Sequence, residues 1–165
     1  MKRKPTRGLV TCVQQMLFSQ EIPTIELQLR SKQRNADLPQ VNDSIAMYKL
    51  ARDQWDPLKM NLCEEFKVCL MNNANRVLGI FNAGTGGVRN CYIDPRMIIA
   101  AALLSNATSI ILLHNHPSGQ NTPSQADIAL TRQIKAAAEL FNICVADHII
   151  ISDSGGYSFG AEGLL

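Results

Sequence analysis

The spacing of apolar residues predicts several strands. Apolar and polar side chains alternate over residues 25–29, which is typical of a half-buried strand. Two apolar runs within residues 66–81 flank the polar stretch 72–75, and this arrangement predicts a β-hairpin. A continuous apolar run at 109–113 predicts a central strand. Residues 143–151 are strand-like again and lead through a glycine turn into a short final strand.

Helical patterns separate these strands. A capping Asn-Asp-Ser sequence predicts a first helix that places Ile45, Tyr48 and Trp55 near one face. An Asp followed by Pro predicts a second helix over about 94–104, and a long apolar period predicts a third over 124–141. Because strands and helices alternate along the chain, we predict an α/β fold around a central sheet.

Composition narrows the classes of function. Of the 165 residues, 46% are hydrophobic and 18% are charged, which suits a folded domain. A net charge of +2 provides no polybasic surface for nucleic acid, and 5% aromatic residues argue against a base-stacking platform. The longest apolar region, 97–113, is interrupted by polar residues at 105–109, so we expect no membrane span. The basic start of the chain offers no signal-peptide cleavage site, and we expect a loose arm over residues 1–20.

The cysteines indicate a cellular compartment. The chain has five, at scattered positions: Cys12, Cys63, Cys69, Cys91 and Cys144. They form no Cys-x-x-Cys pair, which argues against a thiolate zinc site and against a disulfide framework. We therefore expect a reducing compartment and predict a cytoplasmic location.

The residues with the clearest chemistry follow the strand at 109–113. His114 and His116 are two positions apart at its end, so both imidazoles point to one face. Asp127 falls in the first turn of the next helix, at the mouth of the same loop. Two imidazoles and one carboxylate, with a fourth position left open, are the composition of a hydrolytic zinc site.

Each of these residues also has a simpler explanation. A His-x-His sequence can be a detail of a loop, and Ser124 with Asp127 can form a capping box at a helix start. An Asp at that position also suits the helix dipole. Capping does not account for two histidines beside the cap, however, so the joint pattern favours a metal site.

The same residues match a known motif. His114-x-His116, seven residues, Ser124, two residues and Asp127 reproduce the JAMM (MPN-type) metalloprotease motif, and the flanking sequence resembles the RadC branch of that superfamily from about residue 62 onward. The resemblance implies a mixed central sheet flanked by helices, in an MPN/JAMM (cytidine-deaminase-like) architecture. It implies a metal domain over residues 61–165. Residues 1–60 would then be an arm with a short strand and a helix, part of that domain or appended to it.

The family also uses an upstream glutamate as general base, and Glu64 and Glu65 are both available. The family's Glu-x-Phe pattern selects Glu64. Strand alternation agrees, because Glu64 shares a face with Phe66, whereas Glu65 shares one with Lys67, whose ammonium we expect to reach solvent. Desolvation on the apolar face would raise the pKa of Glu64 toward that of a useful base. Glu65 stays the alternative.

The resemblance further implies roles for the other motif residues. His114, His116 and Asp127 would hold Zn²⁺, and Glu64 would move a proton from water to the leaving amine. Ser124 would donate a hydrogen bond to the developing oxyanion.

Two neighbouring residues receive weaker expectations. His148 is either a histidine at the edge of the core or a partner that orients a metal ligand. Asn115 points to the face opposite the two histidines, and we expect a structural role for it.

The leading hypothesis is a zinc-dependent hydrolase, a metallopeptidase or isopeptidase that acts on a protein or peptide. The alternative is a non-catalytic, zinc-containing MPN module associated with DNA repair or DNA-processing partners. Many RadC proteins carry a helix-hairpin-helix module before the metal domain, but residues 1–60 show no such pattern, and the net charge gives DNA association no support. A nuclease would need a richer set of carboxylates. The sequence leaves the substrate and the oligomeric state open.

Overall fold

The computed structural model describes residues 34–87 and 91–165. Five strands form one sheet: β1 (Glu65–Met71), β2 (Val77–Thr85), β3 (Ser109–Asn115), β4 (Cys144–Ser152) and β5 (Gly155–Ser158). The helices are α1 (Ser44–Asp53), α2 (Pro95–Leu104) and α3 (Gln125–Glu139), with a short 3-10 helix at Asn35–Asp37. The predicted arm at 1–20 and strand at 25–29 lie outside the described residues. No helix in the described part is both long and apolar enough to cross a membrane.

The sheet is mixed, with strand order β2-β1-β3-β4-β5. β1 is antiparallel to both β2 and β3, β3 and β4 are parallel, and β5 returns antiparallel to β4. The α/β fold with a mixed sheet is therefore confirmed. Because α3 connects β3 to β4, the carboxyl end of β3 and the amino end of α3 meet at one edge of the sheet.

Local sequence signals explain where the helices begin and end. Asp43, Asp94 and Ser124 each cap a helix by accepting a backbone N–H from its first turn. After α2 and α3 the chain turns at Asn106 and Asn142, which have positive φ angles of 54° and 56°. Asparagine tolerates this left-handed conformation better than most residues, so it can end a helix.

Two hydrophobic cores lie on opposite faces of the sheet. The face covered by α2 and α3 buries Phe66, Val68, Leu70, Ile98, Ile110, Leu112 and Ile134. The face covered by α1 buries Met47, Ala51, Trp55, Cys69, Ile111, Leu113, Ile149 and Ile151. The described residues thus form three layers. α1 lies before the predicted boundary at residue 60, and that division of the chain stays a prediction.

The predicted grouping of Ile45, Tyr48 and Trp55 near one face of α1 holds only for Tyr48, which packs against the core on the α1 side. Ile45 is 67% exposed, and Met47 and Ala51 face the sheet instead. The helix ends at Asp53, so Trp55 enters the core from the turn that follows rather than from the helix itself. The spacing that joined these residues therefore extended a helical period past the end of the helix.

β4 contains one extra residue. Val145 pairs with Ile110 of β3, but the next β3 residue pairs with Asp147, so Ala146 is a β-bulge. Side chains in a regular strand alternate between faces, and the bulge shifts that alternation by one position. His148 therefore faces α3, while Ile149 and Ile151 face α1.

Candidate metal centre

Two histidines converge at the carboxyl end of β3. His114 is fully buried, and its Nε2 atom lies 2.9 Å from Nε2 of His116. The backbone N–H of His116 still donates to the Ile151 carbonyl at 3.0 Å, so strand pairing continues through both histidines. This pairing keeps the two imidazoles on the same side of the sheet.

Asp127 approaches the histidines from the first turn of α3. Its Oδ1 atom lies 3.4 Å from His114 Nε2, and its Oδ2 atom lies 3.6 Å from His116 Nε2. One ligand atom from each of the three residues falls within 4.8 Å of the others. Over residues 34–87 and 91–165, no second group of three His, Cys, Asp or Glu side chains comes together in this way.

These separations suit a single metal ion. Two atoms bound at about 2.0–2.1 Å to a tetrahedral ion lie roughly 3.3–3.4 Å apart. The two Nε2 atoms are 2.9 Å apart, and each lies 3.4 or 3.6 Å from a different oxygen of Asp127, so small side-chain movements would place one atom from each residue around one ion. Two imidazoles and one carboxylate are a common donor set for catalytic zinc.

A backbone carbonyl fixes the orientation of the His116 ring. Nδ1 of His116 lies 2.8 Å from the carbonyl oxygen of Gln120. Because a carbonyl oxygen only accepts, Nδ1 carries the ring proton, and Nε2 can bind a metal. The adjacent Asp127 carboxylate raises the pKa of His116, and burial acts in the opposite direction.

Ser124 holds the Asp127 carboxylate in place. Oδ2 accepts the backbone N–H of Ser124 at 2.7 Å and its hydroxyl at 2.6 Å, while the N–H of Asp127 donates to Ser124 Oγ at 3.2 Å. The two residues form a reciprocal capping box at the start of α3. Burial alone would raise the pKa of Asp127. Contacts with His116, His114 and Ser124 outweigh that effect and hold the pKa well below its ordinary value.

Glu64 lies just before β1, and its side chain lines the same cavity as His116 and Asp127. Its backbone is held by Gly86 and Gly87, through hydrogen bonds of 2.8 and 3.1 Å. Burial is the main effect that raises the pKa of Glu64, the Asp127 carboxylate adds to it, and His116 acts in the opposite direction. A carboxyl group with a raised pKa is better matched to proton transfer near neutral pH.

Glu65 occupies the α1 side of the sheet. Its carboxylate lies 3.2 Å from Lys67 Nζ, and the two side chains are 8% and 13% exposed. Lys67 also donates to the Gln54 carbonyl at 2.7 Å and lies 4.2 Å from the centre of the Trp55 ring. The expectation that Lys67 reaches solvent is therefore wrong, because hydrogen-bond and cation–π contacts hold its ammonium against the protein.

His148 is in direct contact with a potential metal ligand. Its Nε2 atom lies 2.8 Å from His114 Nδ1, and its Nδ1 atom lies 2.6 Å from Thr131 Oγ1. Burial lowers the pKa of His114 to about 4 and holds that of His148 well below its ordinary value. Of the two roles left open for His148, the contact with His114 favours a partner that orients a ligand. Thr131 is not among the residues predicted from the sequence.

Asn115 connects the end of β3 to the segment before Glu64. Its Oδ1 atom accepts the backbone N–H of Glu65 at 2.7 Å, and its Nδ2 atom donates to the carbonyls of Met60 and Cys63 at 2.7 and 2.8 Å. The sequence predicted a structural role for Asn115. It did not indicate that Asn115 would hold the segment beside Glu64 in position. An amide side chain at a buried strand end is the signal, because it must find hydrogen-bond partners there.

A cavity of about 480 Å³ opens beside these residues. Its lining includes the apolar residues Phe66, Ile93 and Leu130 together with Cys91, and the polar residues Glu64, His116, Ser118, Gln120, Thr122, Ser124 and Asp127. Gly84 allows Ile93 and Cys91 to pack closely, since a Cβ atom there would lie 2.8 Å from Ile93 Cδ1 and 2.9 Å from Cys91 Sγ.

Comparison with known proteins gives one family. A family model described as a RadC-like JAB domain matches residues 41–164. The chain is similar to a UPF0758 protein of Porphyromonas gingivalis, with 36% identity over 157 residues, which cover 94% of this chain and 64% of the relative.

Shorter matches of higher identity occur with two other relatives. A UPF0758 protein of Flavobacterium johnsoniae is 42% identical over 101 residues, covering 61% of this chain and 44% of the relative. UPF0758 protein YkfG of Escherichia coli is 41% identical over 102 residues, covering 62% and 65%. The chain thus spans about half to two thirds of the length of these curated relatives.

Proposed function

Because the chain belongs to the RadC-like JAB domain family, we propose that it is a zinc-dependent hydrolase that cleaves amide bonds. The observation that carries this proposal is the convergence of His114, His116 and Asp127, which offer one potential ligand atom each within 4.8 Å of the others, beside an open cavity. Its substrates are proteins or peptides, and it acts in the cytoplasm.

Zinc held by these three residues would lower the pKa of water and polarise a substrate carbonyl. Glu64 lines the cavity and takes the proton from the attacking water. It then returns that proton to the leaving amine, so that one carboxyl group serves first as base and then as acid. The raised pKa of Glu64 supports both steps, because proton transfer is most efficient when the pKa of the group lies near the working pH.

Ser124 lines the same cavity and donates to the oxyanion that develops on the substrate. In the structure its hydroxyl proton is directed at Asp127 Oδ2. The hydroxyl must therefore turn towards the substrate during the reaction, while the backbone N–H of Ser124 continues to hold the Asp127 carboxylate.

A purely structural role for the metal is the alternative, in a non-catalytic module with DNA-processing partners. Structural zinc sites are enclosed by four protein ligands. Here, three potential ligands border a cavity that also contains a glutamate, and this arrangement supports the hydrolase. The net charge of +2 adds no support for DNA partners.

The test combines metal analysis with hydrolysis of peptide libraries and ubiquitin-like conjugates. We expect about one zinc per chain, lost in Asp127→Ala and His116→Ala. Glu64→Gln should retain zinc and lose about 10²- to 10⁴-fold in hydrolysis rate. Glu65→Gln is the matched control and should keep activity, since its carboxylate is paired with Lys67 outside the cavity. Protein without zinc after zinc-replete expression would contradict the metal site, and loss of activity in Glu65→Gln alone would contradict the role of Glu64.

A further inference from the structure

Three hydrogen bonds connect the backbone of Asp127 to the ring of His114. Thr131 Oγ1 lies 2.6 Å from the Asp127 carbonyl oxygen and 2.6 Å from His148 Nδ1. His148 Nε2 lies 2.8 Å from His114 Nδ1. Thr131 is 2% exposed, and both histidines are fully buried. The chain of hydrogen bonds therefore runs through the protein interior from one potential metal ligand to another.

Which atom donates in each of these three hydrogen bonds follows from the carbonyl oxygen of Asp127, where the series begins. A backbone carbonyl carries no proton, so the short contact with Asp127 uses the single hydroxyl proton of Thr131. Thr131 Oγ1 must then accept a proton from His148 Nδ1. A neutral imidazole has one N–H, which leaves His148 Nε2 to accept the Nδ1–H of His114. Nε2 of His114 is therefore unprotonated.

The surroundings of His148 favour the neutral ring that this direction requires. The ring stacks on Phe159, with centroids 4.5 Å apart, and is tilted against Phe66 at 5.6 Å. Its two nitrogens contact Thr131 and His114, so neither faces an acidic oxygen. A charged ring would lose its hydration there without gaining an ionic partner.

The opposite direction would place two acceptors in contact with nothing between them. If Thr131 donated to His148, Thr131 Oγ1 and the Asp127 carbonyl oxygen would meet at 2.6 Å without a proton. The inferred direction also brings two acceptors together, the Nε2 atoms of His114 and His116 at 2.9 Å. That second pair lies in the candidate metal centre, where a metal ion, or a proton in its absence, can enter.

We propose that Thr131 and His148 are positioning residues that keep the ring proton of His114 on Nδ1 and so direct its Nε2 lone pair at the metal. The proposal rests on the metal site of the proposed function, and neither residue contacts the substrate. Partners of this kind fix the tautomer of a metal-binding histidine and strengthen its bond to the metal.

Nitrogen-15 NMR of metal-free protein tests the direction, because it distinguishes rings protonated on Nδ1 from those protonated on Nε2. The chain has three histidines, so the imidazole spectrum contains few signals. We expect His114 and His148 both to carry their proton on Nδ1 at neutral pH. A His148 ring protonated on Nε2 would overturn the proposal, because the hydrogen bonds would then run in reverse.

A pair of variants tests the role of the Thr131 hydroxyl. Thr131→Val removes the hydroxyl at nearly constant volume, whereas Thr131→Ser retains it. In Thr131→Val, His148 Nδ1 loses its acceptor, so we expect its proton to move to Nε2 and zinc affinity in chelator competition to fall about 10- to 100-fold. Thr131→Ser should keep the wild-type tautomer and affinity. Unchanged tautomer and affinity in Thr131→Val would overturn the proposal.

These outcomes are distinct from those that test hydrolysis. A protein that binds zinc but cleaves nothing would contradict the hydrolase, and the tautomers and affinities would still decide the roles of Thr131 and His148. A protein with the expected tautomers that binds no zinc would overturn both the metal site and the positioning roles.

Discussion

Glu64 and Glu65 are neighbours in the chain with opposite surroundings. Successive residues at a strand point to opposite faces, so Glu65 meets Lys67 on the α1 side while Glu64 lines the cavity with Asp127. The carboxylate of Glu65 is neutralised by an ammonium. The carboxylate of Glu64 is partly desolvated beside another negative charge, which is a cost to folding that its proposed role in catalysis explains.

This contrast predicts a pH-dependent gain of stability in Glu64→Gln without metal. The folded-state pKa of Glu64 is raised above 4.5, its ordinary value, so the contribution of this group to stability is fully present below that pH. It is lost as pH rises through the raised pKa. We therefore expect Glu64→Gln to unfold at a higher temperature than wild type at pH 7, with chelator present, and to show little difference at pH 4. An equal gain at both pH values would contradict this explanation.

The hydrogen bonds of Asn115 predict that replacing its Nδ2 atom by oxygen will destabilise the protein. In Asn115→Asp, an oxygen would replace Nδ2 and face the carbonyls of Met60 and Cys63, which would lose their donor. We expect the free energy of unfolding to fall by about 2–3 kcal/mol in urea titrations, together with slower hydrolysis because Glu64 is less firmly held.

Asn72→Asp is the matched control for that change. Asn72 uses its side-chain oxygen to accept the N–H groups of Ala74 and Arg76 in the hairpin turn, and aspartate keeps this oxygen. Its stability should stay close to wild type. Equal destabilisation by the two substitutions would show that the Nδ2 contacts of Asn115 are not the cause.

Among the elements, α3 has the strongest connection between helix formation and the site. Its first turn contains the capping box of Ser124 and Asp127, so the residues that begin the helix also orient the carboxylate. The helix cap and the candidate metal site are therefore not alternatives, because the same contacts between Ser124 and Asp127 serve both.

Ser124→Ala should therefore affect stability as well as activity. Loss of an N-cap hydroxyl costs about 0.5–2 kcal/mol, and we expect a decrease of this size in the free energy of unfolding. Zinc affinity should decrease too, since Asp127 loses the hydroxyl donor at 2.6 Å. Ser124→Thr retains a hydroxyl and should preserve both quantities. Full stability in Ser124→Ala would argue against the cap.

Most elements could be predicted from the sequence because their signals are local. The hairpin around residues 72–75 and the capped starts of α2 and α3 depend on neighbouring residues alone. The face of α1 could not be predicted, because the period does not show that the helix stops at Asp53. The position of Lys67 could not be predicted either, since its ammonium packs on the ring of Trp55, which belongs to a different segment of the chain.

At the scale of the whole molecule, the convergence of the potential metal ligands could be predicted from the sequence because the order strand, loop, helix brings His114, His116 and Asp127 to one edge of the sheet. The contact between His114 and His148 could not be predicted in this way. These residues are 34 positions apart, and they meet because β3 and β4 pair in parallel with a bulge at Ala146. Regular alternation counted from Val145 would turn His148 towards the other face.

Asp127 enters the centre twice, through its carboxylate and through its backbone carbonyl, which begins the hydrogen bonds that lead to His114. Fraying of the first turn of α3 would disturb both connections at once. Metal release and opening of this turn would then be a single event rather than two successive ones. Amide hydrogen exchange at the start of α3 would consequently report metal occupancy without any substrate being required.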